Sequence, residues 1–359
     1  MFVLVVALVI VVMLNTVVVM WMERKTLGHL QSRMGPMRTG WHGLLQPFAD
    51  ALKLLGKEDL VPHGADRRMF MIAPLIAFVP AILIYAATPF AEQIAGATID
   101  AGIFLVFGIV ALFPVGVLVA GWSSHNKYAL MGGVRSAAQQ VSYEVPFVMS
   151  VLGVVMLAGS MRLTDIVDAQ ATVWHVLTQP LAFLLFFIGM LADLNRVPFD
   201  IPEAESELVA GFNIEYSSMR FALFFVAEYA NLFGLSLLTA LLFLGGWNGP
   251  GTSAAPWLGI LWLGAKTYFV AFLIIWVRAT LARVRVDQLM SLCWKLLLPA
   301  ALVNLAITAI GVVVSVWLLV ILQVAALAAF VAIIARIGHT AGDDVRARAL
   351  AAREASCSG

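Results

Sequence analysis

Long apolar stretches alternate with short polar segments along nearly the whole chain. A transmembrane helix needs about 20 apolar residues to cross the roughly 30 Å hydrocarbon core of a bilayer. Seven such stretches precede residue 280, and an uncharged stretch at 296–335 is long enough for two helices joined by a tight turn. The pattern therefore predicts an all-α polytopic membrane protein with about nine transmembrane helices. Eight is the alternative, because no Pro or Gly follows Gly311 within that last stretch to mark the turn. The seven stretches are 2–22, 69–90, 102–121, 143–160, 174–192, 220–245 and 257–279.

The distribution of basic residues favours nine helices and sets the orientation. Cytoplasmic loops of membrane proteins carry an excess of Lys and Arg. With nine helices and the N-terminus outside, 20 of the 22 Lys and Arg residues lie on the cytoplasmic side. Eight helices would place the basic C-terminal tail outside, against that rule. We therefore predict a multi-pass protein of a prokaryotic plasma (inner) membrane with an outer N-terminus and a cytoplasmic C-terminus. Its predicted domains are a helix bundle at 1–338 and a polar, flexible tail at 339–359.

The composition agrees with a membrane protein and excludes several other functions. Hydrophobic residues make up 62% and charged residues 12% of the chain, whereas soluble domains average about 45–50% and about 25%. The net charge of +1 gives no footprint for nucleic acid. An iron–sulfur cluster needs about four thiolates, and the chain has only Cys293 and Cys357. No histidine lies in the middle of a predicted span, so we expect neither a haem nor a metal site.

The first cytoplasmic loop contains an amphipathic segment, "GLLQPFADALKLLGKED" at 43–59. Apolar residues recur there at helical spacing with polar residues on the other side, which predicts a helix lying in the membrane interface. Spacing alone does not distinguish a functional interfacial element from a plain amphipathic connector, and both remain open. The apolar positions are Leu44, Phe48, Leu52 and Leu55, and the polar positions are Gln46, Asp50, Lys53 and Lys57.

Four ionisable residues fall within or at the ends of the predicted spans. Glu144 opens the fourth predicted helix, Asp193 closes the fifth, Glu228 lies in the sixth and Lys266 lies midway along the seventh. Charged groups inside a membrane are costly and usually face a polar cavity or mark a proton path. An ion pair such as Glu228 with Lys266 that only fixes helix packing is the alternative. The four residues together favour a hydrated proton relay.

The loop between the fifth and sixth helices, "LADLNRVPFDIPEAESELVAGFNIEYSS", carries six of the 21 acidic residues against a single Arg196. Pro198 and Pro202 favour an extended, turning backbone, because each disfavours helix in the residue before it. Asp200 is expected to start a short helix with acidic residues in its first turns. A solvated loop is the alternative, but this charge is continuous with the membrane-embedded acids. The six acidic residues are Asp193, Asp200, Glu203, Glu205, Glu207 and Glu215.

Several long blocks of sequence, between residue 21 and about residue 300, support a specific resemblance. They include "MERKTLGHLQSRMGP", "GWSSHNKYALMGGVRSAAQQVSYE", "NRVPFDIPEAESELVAGFNIEYSS" and "RATLARVRVDQLMSLCWKLLLP". The chain resembles the H-subunit family of the proton-pumping NADH:quinone oxidoreductase, respiratory complex I, called subunit 1 in mitochondria. The resemblance implies a tilted helix bundle that encloses a quinone chamber. It also implies a chain of buried carboxylates that connects quinone reduction to proton translocation.

The resemblance further implies the substrate and the partners. Quinone is the expected substrate, and no flavin, haem or iron–sulfur cluster is expected in this chain alone. Those cofactors are expected on partner subunits of the complex. The expected partners are the peripheral-arm iron–sulfur and quinone-site subunits, the antiporter-like membrane-arm subunits and the lipid bilayer, with no nucleic acid.

The resemblance also carries residue roles over by matching position. No residue is implied to be catalytic or metal-binding in this chain alone. The sequence departs from the family pattern at Met37, at Asp193, where the family often has Glu, and at Ala282, where proline is common. None of these changes removes a charged group. The residues implied at the quinone chamber are Arg24, Arg33, Asp50, Glu58, Arg196, Asp200, Glu203, Glu205 and Glu207. The residues implied in the proton relay are Glu144, Asp193, Glu215, Glu228, Lys266, Arg285 and Asp287.

Two other functions stay open at the level of sequence. The first is the equivalent subunit of a membrane-bound hydrogenase or of a ferredoxin-linked complex, because a chain of this type does not itself bind the electron donor. The second is a stand-alone ion or proton transporter, which would predict internal repeats and interrupted helices at mid-membrane. The full acidic loop favours the quinone enzyme over the first, and the second is disfavoured because neither repeats nor interrupted helices are evident in the sequence.

Overall fold

The computed structural model describes residues 2–91, 99–252, 255 and 257–357, except for the side chains of residues 2–5, 205, 206 and 337–357. Its regular elements are helices, which confirms the predicted all-α class. In this part of the chain, eight helical segments are long and apolar enough to cross a membrane, and two of them, Gly102–Ser123 and Val286–Val314, each join two of the α-helices listed next. The α-helices are α1 (Phe2–Leu30), α2 (Gln46–Leu55), α3 (Arg67–Ala87), α4 (Gly102–Val110), α5 (Phe113–Ser123), α6 (Lys127–Ala158), α7 (Leu163–Ala169), α8 (His175–Thr178), α9 (Pro180–Asp193), α10 (Glu205–Leu208), α11 (Ser218–Phe243), α12 (Trp257–Thr280), α13 (Val286–Leu292), α14 (Leu298–Val314) and α15 (Val316–Cys357).

The last two predicted spans are separate helices. α14 ends at Val314, Ser315 has an extended backbone, and α15 begins at the next residue. The Ser315 hydroxyl accepts a hydrogen bond from Leu318 N at 3.3 Å, which is how a serine commonly caps a helix N-terminus. A serine therefore marks the turn that hydropathy does not locate. Because α15 continues to Cys357, the backbone of 339–357 is helical, and the domain division at residue 338 stays a prediction.

The predicted fifth span is shorter than expected. It consists of the single turn α8 and of α9, whose 14 residues extend over about 21 Å. This length falls short of the roughly 30 Å hydrocarbon core. The eight long helices and this short one together account for the nine predicted helices. The orientation of the termini stays a prediction.

α11 forms the centre of the bundle. Every residue from Tyr229 to Phe243 is buried, because α1, α3 and α12 pack around this helix. The Tyr85 hydroxyl of α3 donates a hydrogen bond to Ala230 O at 2.6 Å, which also ties α3 to α11. The N-terminal end of α11 is predicted from the charge distribution to be cytoplasmic. The packing holds this end in a fixed position beside the loop at 194–217.

The amphipathic segment of the first loop, which is predicted to be cytoplasmic, forms the predicted helix α2. Phe48, Leu52 and Leu55 are each more than half exposed, which is typical of a helix that lies in a membrane interface. On its polar side, Gln46 Nε2 donates to Asp50 Oδ1 at 3.2 Å. This side of α2 faces α1, where it borders the site described next.

Candidate functional site

A buried group of charged side chains lies where α1, α11 and α12 meet the loop at 194–217. Arg196 is 3% exposed, and its Nη1 donates to both carboxylate oxygens of Glu23 at 3.0 and 3.1 Å. Its Nε lies 3.0 Å from Glu228 Oε1. Arg278 of α12 also pairs with Glu23, and the Tyr229 ring covers the Arg196 guanidinium at 4.7 Å. Glu23, Arg196, Glu228 and Arg278 are called the charge cluster below.

The fold fixes Arg196 through the backbone on its C-terminal side. Gln139 of α6 donates through Nε2 to Phe199 O at 3.0 Å. Val284 N, in the connection between α12 and α13, donates to Pro198 O at 3.0 Å. Burial disfavours the charged guanidinium, but the Glu228 and Glu23 carboxylates outweigh this effect and raise the pKa of Arg196. Arg196 is therefore a permanent positive charge in a fixed place.

Two further carboxyl groups approach the charge cluster from the same loop. Glu203 accepts a hydrogen bond from Asn213 Nδ2 at 3.0 Å. Glu203 and Glu228 both line a cavity of about 10 Å³, which has room for about one water molecule. Burial, with the charges of Glu228 and Asp200, raises the pKa of Glu203 to about 8, because each favours the neutral carboxyl. The site thus contains a carboxyl group that keeps its proton near neutral pH.

An apolar cavity of about 460 Å³ lies between α1, α2 and α11. Its charged lining residues are Arg24, Asp50 and Lys53, and Arg24 pairs with Asp50. Burial works to raise the pKa of Asp50, but the hydrogen bond and charge of Arg24 outweigh it and lower this pKa. The Asp50 carboxylate is therefore ionised at neutral pH. The other lining residues are Met13, Thr16, Val17, Met20, Pro47, Phe48, Ala51, Leu54, Phe221, Ala222, Phe225 and Val226.

The cavity and the charge cluster share two helices. On α1, Met20 and Arg24 line the cavity, and Glu23 between them belongs to the cluster. On α11, Val226 lines the cavity and Glu228 follows two residues later. Positions within one helical turn differ by no more than about 5.4 Å along the axis. The charge cluster therefore lies within about one turn of an apolar cavity.

A second pair of carboxyl groups lies at the end of α9. Asp193 is buried and accepts a hydrogen bond from Gln140 Nε2 at 2.9 Å. Glu144 is close enough to Asp193 for their charges to repel each other, and it lies one turn after Gln140 on α6.

Across the residues that the structure describes, no three His, Cys, Asp or Glu side chains are grouped so that they could hold a metal ion.

The remaining predicted site residues lie away from the charge cluster. Glu207 is exposed and pairs with Arg135 at 2.6 Å and with Arg283 at 3.5 Å. The hydrogen bond from Arg135 is the main cause that lowers the pKa of Glu207. Glu215 accepts a hydrogen bond from Asn126 at 2.8 Å. The side chain of Glu205 lies outside the described residues. Exposed positions are occupied by Arg33, Glu58, Arg285 and Asp287.

The structure differs from the sequence in three local expectations. Glu144 does not open the fourth predicted span, because α6 begins at Lys127 and Glu144 lies near the middle of this helix. The short helix of the acidic loop begins at Glu205 and not at Asp200, because Pro202 disfavours helix in the residue before it. Lys266 does not pair with Glu228, since its Nζ donates to two backbone carbonyls at 2.8 and 2.7 Å. It also lies 12 residues before Arg278 on α12, which is about 18 Å along the axis. The two carbonyls that accept from Lys266 belong to Gly246 and Asn248.

The sequence signals do not single out Glu23 or Arg278, although both belong to the charge cluster. Glu23 is adjacent to Arg24 in "MERKTLGHL", just beyond the predicted end of the first span. Neighbouring side chains on a helix point about 100° apart. Arg24 can therefore line the cavity while Glu23, the residue before it, points toward the cluster. The usable signal is this acidic–basic pair at the end of an apolar helix.

A bundle of eight long apolar helices with a charge cluster at one end defines an integral membrane protein with a buried polar site. The chain matches the NADH dehydrogenase family over residues 3–309. It is 52% identical over 290 residues to the NADH-quinone oxidoreductase H subunit of Geobacillus thermodenitrificans, and the alignment covers 80% of this chain and 87% of that protein. It is 48% identical over 325 residues to NADH-quinone oxidoreductase H subunit 1 of Geobacter sulfurreducens, covering 85% and 92%. The same identity holds over 304 residues with NADH-quinone oxidoreductase H subunit 2 of Rhizobium meliloti, covering 82% and 91%.

The chain therefore belongs to the H-subunit family of NADH-quinone oxidoreductase, whose members are membrane subunits of that enzyme complex. This confirms the resemblance found in the sequence blocks.

Proposed function

We propose that this chain encloses a quinone chamber in a proton-pumping NADH:quinone oxidoreductase and couples quinone reduction to proton translocation through its buried carboxyl groups. One observation carries the proposal: several carboxyl groups lie close enough together for their charges to act on one another. Glu203 is near Glu228 and Asp200, and Glu228 and Glu23 both pair with Arg196. Closely spaced carboxylates repel one another, and this repulsion favours binding of a proton by one of them.

The apolar cavity supports the quinone part of the proposal. A quinone has a long isoprenoid tail and a small polar headgroup, and an apolar cleft with a few placed charges suits such a molecule. The cavity borders α2, whose exposed apolar side chains lie as expected for a helix at the bilayer surface. Arg24, Asp50 and Lys53 are the charged groups that would orient the headgroup as the tail enters.

The coupling follows from the chemistry of the substrate. Reduction of a quinone to a quinol takes up two electrons and two protons. A negative charge that arises beside the cavity raises the proton affinity of nearby carboxyl groups. Glu203 and Glu228 share a cavity of water size, so a proton can move between them. Glu144 and Asp193 are proposed as the next carboxyl pair along the relay, because α6 carries Glu144 and also braces the loop beside Arg196.

The electron carriers and the orientation are also proposals. The electrons would come from an iron–sulfur cluster on a peripheral-arm subunit, and antiporter-like subunits would extend the proton path in the membrane arm. The chain would reside in a prokaryotic plasma membrane with its C-terminus in the cytoplasm, as the distribution of Lys and Arg indicates. The names of the relatives favour this enzyme over a membrane-bound hydrogenase.

The proposal is tested with Glu228→Gln in the assembled complex, reconstituted in liposomes. We expect proton pumping driven by quinone reduction to fall, because the variant removes a titratable group without changing side-chain size. Electron transfer from NADH to a hydrophilic artificial acceptor should be unchanged, because that reaction bypasses this chain. Asp100→Asn is the matched control, since Asp100 is an exposed carboxylate that belongs to neither the predicted chamber nor the predicted relay. Wild-type pumping by an assembled Glu228→Gln complex would exclude this carboxyl group from the relay.

A further inference from the structure

The cavity that Glu203 and Glu228 share is also lined by Asn195, the residue before Arg196. Its volume of about 10 Å³ has room for about one water molecule. A polar group on the wall of this cavity therefore reaches either carboxyl group directly or through a single water molecule. The sequence predictions do not include Asn195 among the site residues.

The backbone turns at Asn195. Its φ of 50° lies in the left-handed region, which Asn and Asp adopt more readily than most other residues. Asn195 N donates to Ala192 O at 3.2 Å, so the turn closes the C-terminal end of α9. The side chain lines the cavity and also reaches Gln139 of α6.

Gln139 determines which end of the Asn195 amide faces the cavity. The Gln139 side chain is buried, and its Nε2 donates to Ala192 O at 2.6 Å and to Phe199 O at 3.0 Å. Carbonyl oxygens only accept hydrogen bonds, so this atom of Gln139 is the nitrogen. The Asn195 atom that lies 3.1 Å from it is therefore the acceptor Oδ1. The Nδ2 group, which only donates, is what Asn195 presents to the cavity.

We propose that Asn195 is a positioning residue for proton transfer between Glu203 and Glu228. Its Nδ2 donates a hydrogen bond to whichever of the two is ionised, directly or through one water molecule. This inference rests on the proposed function. In each transfer the proton leaves the O–H of one carboxyl group and binds a carboxylate oxygen of the other, while the Asn195 amide keeps both of its protons. A donor beside a carboxylate favours the ionised form, so Asn195 makes the proton easier to release.

The surroundings of Glu203 show what this donor acts against. The charged groups that act on Glu203 are Glu228 of α11, and Asp200 and Arg196 of its own loop. Burial and the two carboxylates raise the pKa of Glu203 to about 8, and the hydrogen bond from Asn213 works in the opposite direction. A second amide donor in the same cavity adds to the effect of Asn213.

The proposal is tested with Asn195→Asp in the assembled complex. Asp fits the left-handed backbone and keeps an acceptor oxygen for Gln139, so the turn after α9 is preserved. The donor in the cavity is replaced by a negatively charged oxygen, which favours protonated Glu203. In the wild type, quinone reductase activity that needs protonated Glu203 declines as pH rises through about 8. We expect the midpoint of this decline to move up by about one pH unit in the variant.

Two further variants identify the group that titrates. Thr172→Asp is the matched control and should keep the wild-type midpoint, because it adds a carboxylate at an exposed residue between α7 and α8. The double variant Asn195→Asp/Glu203→Gln should show no decline. If Glu203→Gln abolishes the decline but Asn195→Asp leaves the midpoint in place, the inference about Asn195 is wrong and the proposed function stands. If Glu203→Gln keeps the decline, the proposed role of Glu203 fails as well.

A density map of the assembled wild-type complex tests the contact without a substitution. We expect Asn195 Nδ2 within hydrogen-bonding distance of a carboxylate oxygen of Glu203 or Glu228, or of a water peak between them. An Asn195 side chain that points away from the cavity would overturn the proposal, whether or not the Asn195→Asp complex assembles.

Discussion

Glu23→Gln is the most direct perturbation of the charge cluster. Glu23 is the carboxylate shared by two arginines, Arg196 and Arg278, and it is almost completely buried. The amide of glutamine keeps the size of the side chain but loses its charge. The variant therefore leaves Arg196 paired with Glu228 alone and removes the carboxylate that pairs with Arg278.

The magnitude follows from the surroundings of each arginine. Removing one partner of a buried ion pair costs about 3–5 kcal/mol. Arg196 keeps Glu228 at 3.0 Å, and the Arg278 side chain is 30% exposed, so water can solvate part of its charge. Both facts place the expected cost at the lower end, about 3 kcal/mol. At about 2 °C per kcal/mol, the low end for larger chains, Tm falls by about 6 °C.

The assay is the thermal dissociation of the purified complex, followed by loss of quinone reductase activity or by native electrophoresis. Asp100→Asn serves as the control for removal of an exposed carboxylate. The double variant Glu23→Gln/Arg278→Gln restores the balance of charge and is expected to recover part of the loss, with a coupling energy of up to about 3 kcal/mol. A Tm of Glu23→Gln equal to that of the wild type would refute the assignment of a paired, buried Glu23.

Two further predictions concern the proton and the tail. Burial and neighbouring carboxylates raise the pKa of Glu203 to about 8, so this group is neutral below that pH and ionised above it. Quinone reductase activity should therefore decline as pH rises through about 8. In a pH–rate profile, Glu203→Gln should lack this decline and Glu207→Gln should retain it. Identical profiles of Glu203→Gln and the wild type would contradict the role of Glu203. Val17→Trp fills part of the apolar cavity and should raise KM for a long-tailed quinone about tenfold, equivalent to about 1.4 kcal/mol. Its KM for a tail-less quinone should be unchanged, and an equal rise for both quinones would show that the tail does not occupy this cavity.

The helices were predictable from the sequence because their signal is local. Twenty apolar residues in a row predict a span, and the spacing in "QPFADALKLL" predicts α2. The turn at Ser315 has a local signal as well, a serine in the position of a helix cap, but many serines in loops look the same. Hydropathy therefore predicts the presence of a helix better than it predicts where the helix begins and ends.

The partners of charged residues were not predictable in the same way, because they depend on which helices are neighbours. Glu228 and Lys266 look like a natural pair in the sequence, yet they lie at different depths of the bundle. Glu23 is separated from Arg278 by more than 250 residues, and they meet because α1 and α12 are both packed on α11. Only the resemblance to a family, which reports on a whole fold, places distant residues such as Arg24 and Asp50 in one region.

The charge cluster is difficult to explain as a stabilising feature. Replacing a buried ion pair with apolar side chains is often neutral or stabilising by about 1–4 kcal/mol, and the carboxyl groups of Asp200 and Glu203 add further negative charge beside this cluster. Unlike an apolar core, such an arrangement is sensitive to a new charge nearby, because that charge changes the pKa of its carboxyl groups. At an effective dielectric constant of about 20, a unit charge about 8 Å away interacts by about 2 kcal/mol, or about 1.5 in pKa. Since the pKa of Glu203 is about 8, a change of that size alters how tightly the carboxyl group holds its proton under physiological conditions. A cluster in which every carboxylate had its own arginine would respond far less, because its pKa values would lie well below neutrality. In the proposed function, the close spacing of carboxyl groups beside the apolar cavity is thus the property by which redox chemistry in the cavity would move protons.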